Sequence, residues 1–134
     1  MQRIIVSSFI FLSILFIFNA CTKGAGPGGR ASIKGKVYAR NYNNSYIKTD
    51  SGYIAGQKVF IKYGDLAGVG DNVDTDLNGE FVFPYLRKGN YTVYILSKRL
   101  YNNTLDTTVS QTVTIADRKE VKTLPLFEIN TFKN

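Results

Sequence analysis

From Ile33 onward the chain alternates apolar and polar residues with a period of two, and that pattern leaves little choice of fold. Ile33, Gly35, Val37 and Ala39 alternate with Lys34, Lys36, Tyr38 and Arg40. A pleated strand sends successive side chains to opposite faces, so such a segment buries one face and wets the other. Residues 57–63 repeat the pattern, with Val59 and Ile61 opposite Lys58 and Lys62. Short strands at 71–75 and 80–83 flank Leu77-Asn78-Gly79, and Asn-Gly signals a hairpin because both residues tolerate positive φ. The clearest central strand is 90–98: Tyr91, Val93 and Ile95 share one face, while Tyr94 and Leu96 imply partial cover on the other. Residues 107–115 form another strand, 116–119 turn, and 120–129 close the fold. Pro125 marks an edge or bulge there because it cannot donate to a ladder. Residues 41–53, polar and rich in Asn and Tyr, read as an extended loop. No stretch carries a 3.6-residue period. The expectation is an all-β, seven-stranded β-sandwich over residues 31–132.

The first twenty residues have a different chemistry. Met1-Gln2-Arg3 supplies one positive charge, residues 4–18 are apolar apart from Ser7, Ser8 and Ser13, and Asn19-Ala20-Cys21 sets a small residue before a cysteine. Charge, apolar core and small residue in that order are the layout of a secretory signal peptide. As a helix the apolar run would reach only about 22 Å, against about 30 Å of bilayer hydrocarbon. A cleaved signal over residues 1–20 is therefore expected rather than a spanning helix.

Cys21 is the only cysteine, so no intramolecular disulfide can form, and an odd cysteine in an exported chain needs a reason. Phe18-Asn19-Ala20-Cys21 resembles the lipobox of bacterial lipoproteins, in which cleavage precedes a cysteine carrying a diacylglycerol thioether. Phe18 and Asn19 depart from the usual Leu and Ala or Ser. The resemblance implies lipidation, with palmitate-type chains, at Cys21. It also implies membrane attachment through that lipid, and a place in the cell envelope at the periplasmic or surface face of an outer membrane. Several acyl chains on one residue anchor stably, since each buried methylene contributes about 0.8 kcal/mol. Residues 21–30, the lipidated cysteine followed by TKGAGPGGR, read as a flexible Gly-rich tether.

Loss of residues 1–20 removes Arg3 and takes the net charge from +7 to +6. An excess of cations favours anionic partners. The bases are scattered along alternating strands, as in Lys34/Lys36 and Lys58/Lys62, which reads as solvated faces; no nucleic-acid motif accompanies them, and no nucleic-acid partner is expected.

Thr75-Asp76-Leu77-Asn78-Gly79-Glu80-Phe81-Val82-Phe83, followed by Leu86, Gly89, Tyr91 and Val93, resembles the signature of the carboxypeptidase regulatory-like and Cna-B-like domains. Gly35-Lys36-Val37 and Ala55-Gly56-Gln57-Lys58-Val59 are similar to the opening strand and the G-x-x-V strand of those families. The resemblance covers residues 33–93 and implies a transthyretin-like (prealbumin-like), Ig-like Greek-key sandwich. Such domains serve as spacers, binding modules and accessory domains, so the fold does not fix an activity. Physically, Gly79 and Gly89 permit turns, Phe81, Phe83, Tyr91 and Val93 fill the core, and Leu86 plugs the loop between them.

Three groups of residues are candidate sites. Asp74, Asp76 and Asn78, ahead of Gly79, space oxygens as in the opening of a calcium loop; Tyr85 stands where a bidentate Glu is expected, so a solvated turn is the preferred reading and no metal is assigned. An internal Lys–Asn isopeptide, with Lys34 or Lys36 and Asn130 as partners, lacks its acid, because Ile95 stands at the position where Cna-B-like domains carry Glu. Tyr42, Tyr46 and Tyr53, among Asn41, Asn43, Asn44 and Asp50, offer aromatic faces and amides that can stack on a glycan or anchor a protein; packing of the tyrosines onto the sandwich is the competing and preferred account. With no His, and Cys21 lipidated, Ser–His and Cys–His chemistry is excluded, and neither an enzyme nor a cofactor is expected. The expected function is a non-catalytic binding or structural role in the envelope, with an envelope protein or glycan as partner. The alternative is a subunit or accessory of an adhesive or polysaccharide-uptake assembly.

Overall fold

A computed structural model describes residues 24–132. They form an all-β sandwich of nine strands: β1 (Pro27–Tyr42), β2 (Lys48–Tyr53), β3 (Lys58–Tyr63), β4 (Asp71–Asp74), β5 (Glu80–Leu86), β6 (Gly89–Arg99), β7 (Asn102–Ile115), β8 (Val121–Thr123) and β9 (Phe127–Phe132). One sheet is organised around β1, with β2 and β5 antiparallel and β8 and β9 parallel to it; the other has the order β4-β3-β6-β7. Residues 32–34 of β1 pair with β5 and β8 together, and residues 38–42 pair with β2 and β9 together. β1 is thus the spine of its sheet along its whole length. Val37 is the switch point, its N–H donating to the Gly79 carbonyl at 2.9 Å and its carbonyl accepting from Ile54 N–H at 3.3 Å.

The alternation read in the sequence is the alternation of burial. Ala31, Ile33, Val37 and Ala39 of β1 face Val59 and Ile61 of β3 and Tyr91, Val93 and Ile95 of β6. Phe81, Phe83, Leu86, Ile115, Phe127 and Ile129 close the core, and all of these are buried. Phe81 lies 5.9 Å from Phe127 and 6.0 Å from Phe83, between ring centroids. Its ring occupies the space over Gly35, where a Cβ would stand 2.6 Å from Phe81 Cζ. A glycine on an inward position of β1 is what admits a phenylalanine from β5.

The two strands beyond the expected seven have identifiable sources. Residues 41–53 are not an extended loop: the chain turns at 43–47 and returns as β2, which pairs with β1 from Tyr38↔Tyr53 to Tyr42↔Lys48. The closing segment is two strands, interrupted at Leu124-Pro125-Leu126. Pro125, lacking an N–H, sits in that break.

The larger departure is at the amino end. From Gly24 the supposed tether lies against the sandwich, and Pro27–Tyr42 is one strand in which Pro27 and Ala31 both pair with Leu86 across a register shift. The buried hydroxyl of Tyr91 makes the attachment. It accepts from Gly26 N–H at 2.9 Å and donates to the Arg87 carbonyl at 2.7 Å. Arg87 N–H donates to the Gly26 carbonyl at 2.9 Å, and Arg87 Nε to the Gly24 carbonyl at 2.8 Å. Gly89, at φ 143°, leaves room for Ala25, whose Cβ would be only 2.7 Å from a Cβ at residue 89. Glycine-rich composition here serves close backbone approach, not slack.

Two outcomes follow from this packing. Phe81→Ala removes a buried aromatic and opens a cavity, and is expected to cost about 3–5 kcal/mol, read as a lowered denaturant midpoint. Tyr91→Phe leaves the apolar core filled but strips partners from the Gly26 N–H and the Arg87 carbonyl. A cost of about 1–3 kcal/mol is expected, together with faster proteolysis within residues 24–30 and unchanged cleavage elsewhere.

Candidate functional site

β1 carries the chain from one end of the sandwich to the other, a run of sixteen residues or about 50 Å at the usual strand rise. At its far end the β1–β2 and β6–β7 turns meet. Asn43 builds the first turn. Its side-chain oxygen accepts from Ser45 N–H at 3.0 Å and Ile47 N–H at 2.9 Å, and its carbonyl accepts from Tyr46 N–H at 2.9 Å. Asn103 Nδ2 reaches Asn44 Oδ1 at 3.5 Å and links the two turns.

Aromatic rings fill this end. Tyr46 lies 5.4 Å from Tyr101 and 5.8 Å from Phe132, and Phe132 lies 5.8 Å from Tyr42. Tyr46 and Tyr101 both have left-handed backbones, at φ 59° and 67°. Bulky residues rarely adopt that region, and each such residue costs about 1–3 kcal/mol that the surrounding structure must offset. Among the described residues, two of the three non-glycine residues with positive φ therefore face each other at one end; the third, Tyr85, is in β5. Tyr101 is 74% exposed, and Ile47 and Leu105 beside the turns are exposed as well. The turn residues 43–47 and 100–103 contain amides, three hydroxyls and apolar groups but no carboxylate, Lys, Arg or His. Such a surface offers ring faces and amide hydrogen bonds, the equipment for stacking on a sugar or seating an apolar anchor, and nothing to move a proton at neutral pH.

Of the three tyrosines that are candidates for binding, Tyr42 and Tyr46 join this cluster through Phe132. Tyr53 does not. It is at the other end of β2, edge-on to Tyr38 at 5.5 Å with the Lys36 ammonium 5.3 Å above its ring. Tyr101 and Phe132 were missed, although one signal was available: Tyr-Asn-Asn occurs twice, at 42–44 and 101–103, and the fold brings the two copies together.

The calcium candidates are spent separately. Asp74 Oδ1 is 2.8 Å from Lys58 Nζ, whereas Asp76 Oδ1 accepts from Asn78 N–H and Glu80 N–H, each at 2.8 Å, to close the turn. Asn78 is exposed beside them. Among the described residues no three His, Cys, Asp or Glu side chains converge. Thr75, next to Asp76, is buried; its hydroxyl donates to the Ile54 carbonyl at 2.5 Å and accepts from Gln57 N–H at 2.9 Å. The Thr-Asp-x-x-Gly motif is thus a clip between loops. The isopeptide pair is likewise apart: Lys36 bonds Glu80 at 2.7 Å, and Asn130 is in register with Arg40. Cys21 lies outside the described residues.

No family model and no curated protein matches this chain. Among solved structures, it is similar to a candidate carbohydrate-binding protein of Pseudomonas aeruginosa, at 16% identity over 84% of this chain and 93% of that one, with a TM-score of 0.42. It is also similar to BcpA, the major pilin subunit of Bacillus cereus, at 15% identity over 73% of this chain and 30% of that one, with a TM-score of 0.40.

Proposed function

We propose that the protein is a lipid-anchored binding module of the bacterial envelope, tethered through Cys21 and presenting the Tyr46–Tyr101 end to a glycan or protein partner. The observation that carries this reading is the aromatic pair held on left-handed backbone, 5.4 Å apart and exposed, at the end of the sandwich opposite the entering chain. Strain at a surface is retained where surrounding structure and use both favour it. Packing alone asks for no exposed ring at Tyr101. The signal-like segment, the lipobox-like residues 18–21 and the lone cysteine support attachment at the other end. The role is non-catalytic: the turn residues contribute shape, ring faces and amides.

For the anchor, mass spectrometry of the wild-type protein is expected to find a mature amino terminus at Cys21 bearing acyl chains, while Cys21→Ser accumulates as an uncleaved, lipid-free precursor. A mature chain starting elsewhere with no lipid mass would defeat this part of the reading. For the recognition end, Tyr46→Gly and Tyr101→Gly each remove a ring while relieving positive-φ strain, so stability is expected to stay within about 1 kcal/mol of wild type. Retention on a glycan array, or recovery of the neighbour crosslinked in the native envelope, is expected to fall at least tenfold. A protein neighbour places the chain in an adhesive or uptake assembly; a sugar makes it a glycan-binding module. If Tyr46→Gly unfolds the domain as severely as Phe81→Ala, the ring is core and the surface is not a site.

A further inference from the structure

Five of the cations that look scattered in the sequence meet in the fold. At the end of the sandwich where the chain enters, an open groove of ≈ 860 Å³ is lined by Arg30, Arg87, Lys88, Arg118 and Lys119 with Gly24, Gly28, Gly29, Leu86 and Gly89, and no carboxylate. These bases come from three segments: the start of β1, the β5–β6 turn and the β7–β8 turn. Arg30, Lys88, Arg118 and Lys119 are exposed, and none makes an ion pair among the described residues. By contrast Lys36, Arg40, Lys58 and Lys98, along the sides of the sandwich, are each paired with a carboxylate.

Two acids are close enough in sequence to oppose the groove. Asp117 is exposed in the same turn. Glu120 is committed elsewhere: its carboxylate bonds Lys122 at 2.7 Å and accepts from Ala116 N–H and Asp117 N–H. Lys122 first, and those two N–H groups next, hold its pKa down at about 2, so it stays ionised and bonded through the physiological range. That bonding fixes the turn that presents Arg118 and Lys119. Arg87 is also placed rather than free, its Nε bonded to the Gly24 carbonyl.

We infer that this basic end is a docking surface for the anionic headgroups of the membrane that holds the protein. Cys21 precedes Gly24 by three residues, which span at most about 11 Å. A lipid at Cys21 therefore keeps the groove within roughly one Debye length of the headgroups, where each added Lys or Arg strengthens attachment about fivefold. A partly packed amino segment, in place of a slack tether, means that the end facing the membrane is set by the fold. The orientation rests on the lipid-anchor reading; the charge chemistry does not.

The test uses the mature chain starting at Thr22, which has no thioether, in co-sedimentation with phosphatidylcholine vesicles and with vesicles containing 30% phosphatidylglycerol. The expected result is binding to the anionic vesicles alone, abolished by 0.5 M salt. Lys88→Glu with Lys119→Glu is expected to weaken it at least twenty-five-fold. The equal charge change Lys34→Glu with Lys62→Glu, away from the groove, is expected to weaken it less than threefold. Equal losses from the two pairs would mean that net charge alone binds, and overturn the proposal. So would indifference to lipid charge, or a preference for a soluble acidic polysaccharide over the vesicles. Because this chain lacks Cys21, a lipid-free native amino terminus would remove the anchor without touching this result.

Discussion

Everything in the first sheet hangs on β1. Its four partners make no ladder with one another that could replace it, and β1 serves two of them on each side by changing partners at Val37. The same strand supplies one wall of the core, because its inward positions run unbroken from Ala31 to Ala39. Gly35 is the exception that proves useful: a side chain there would collide with Phe81. Register in β1 is therefore fixed twice, by the pleat and by one aromatic ring, and a slip of one residue would turn the entire apolar set toward water.

What could be read from the sequence was what burial writes into it. Residues 33–40, 57–63 and 90–98 are visible as strands because one of their faces must be apolar. Thr75, Asp76 and Gly79 are visible because a clip, a turn cap and a positive φ each need a particular side chain or none. β2 escaped because none of its residues is buried; an edge strand of Lys, Thr, Asp, Ser, Gly and Tyr carries no alternation to detect. The amino segment departs from the slack its glycines suggest because Gly29 sits where a Cβ would be 1.8 Å from the Leu86 carbonyl oxygen. The aromatic cluster draws on residues the sequence does not place together. Tyr42 and Tyr46 shared a loop, but Tyr101 and Phe132 reach them only through pairings far apart along the chain, and Tyr53 was drawn away by Tyr38 and Lys36.

The two ends of the sandwich are chemically opposite. One is cationic and rich in glycine, with backbone brought close to backbone; the other is uncharged at its turns, aromatic and held in strained conformations. The sides between them are largely neutralised by exposed ion pairs, each worth little individually. Lys34, Lys48, Lys62 and Arg99 also lack a carboxylate partner among the described residues, but the entering end groups five bases around one groove.

The continuity of β1 also has a mechanical meaning. A pull applied between Gly24 and the Tyr42 end runs along a single covalent strand, with β9 lying parallel to it over residues 37–42 and β5 antiparallel over 27–36. The load is carried by a backbone that is already extended, so the hydrogen bonds to β5 and β9 need not break for it to be transmitted. A domain strung this way resists tension between its two ends better than its modest core suggests, and would transmit a tug at the aromatic turns to the amino end with little extension.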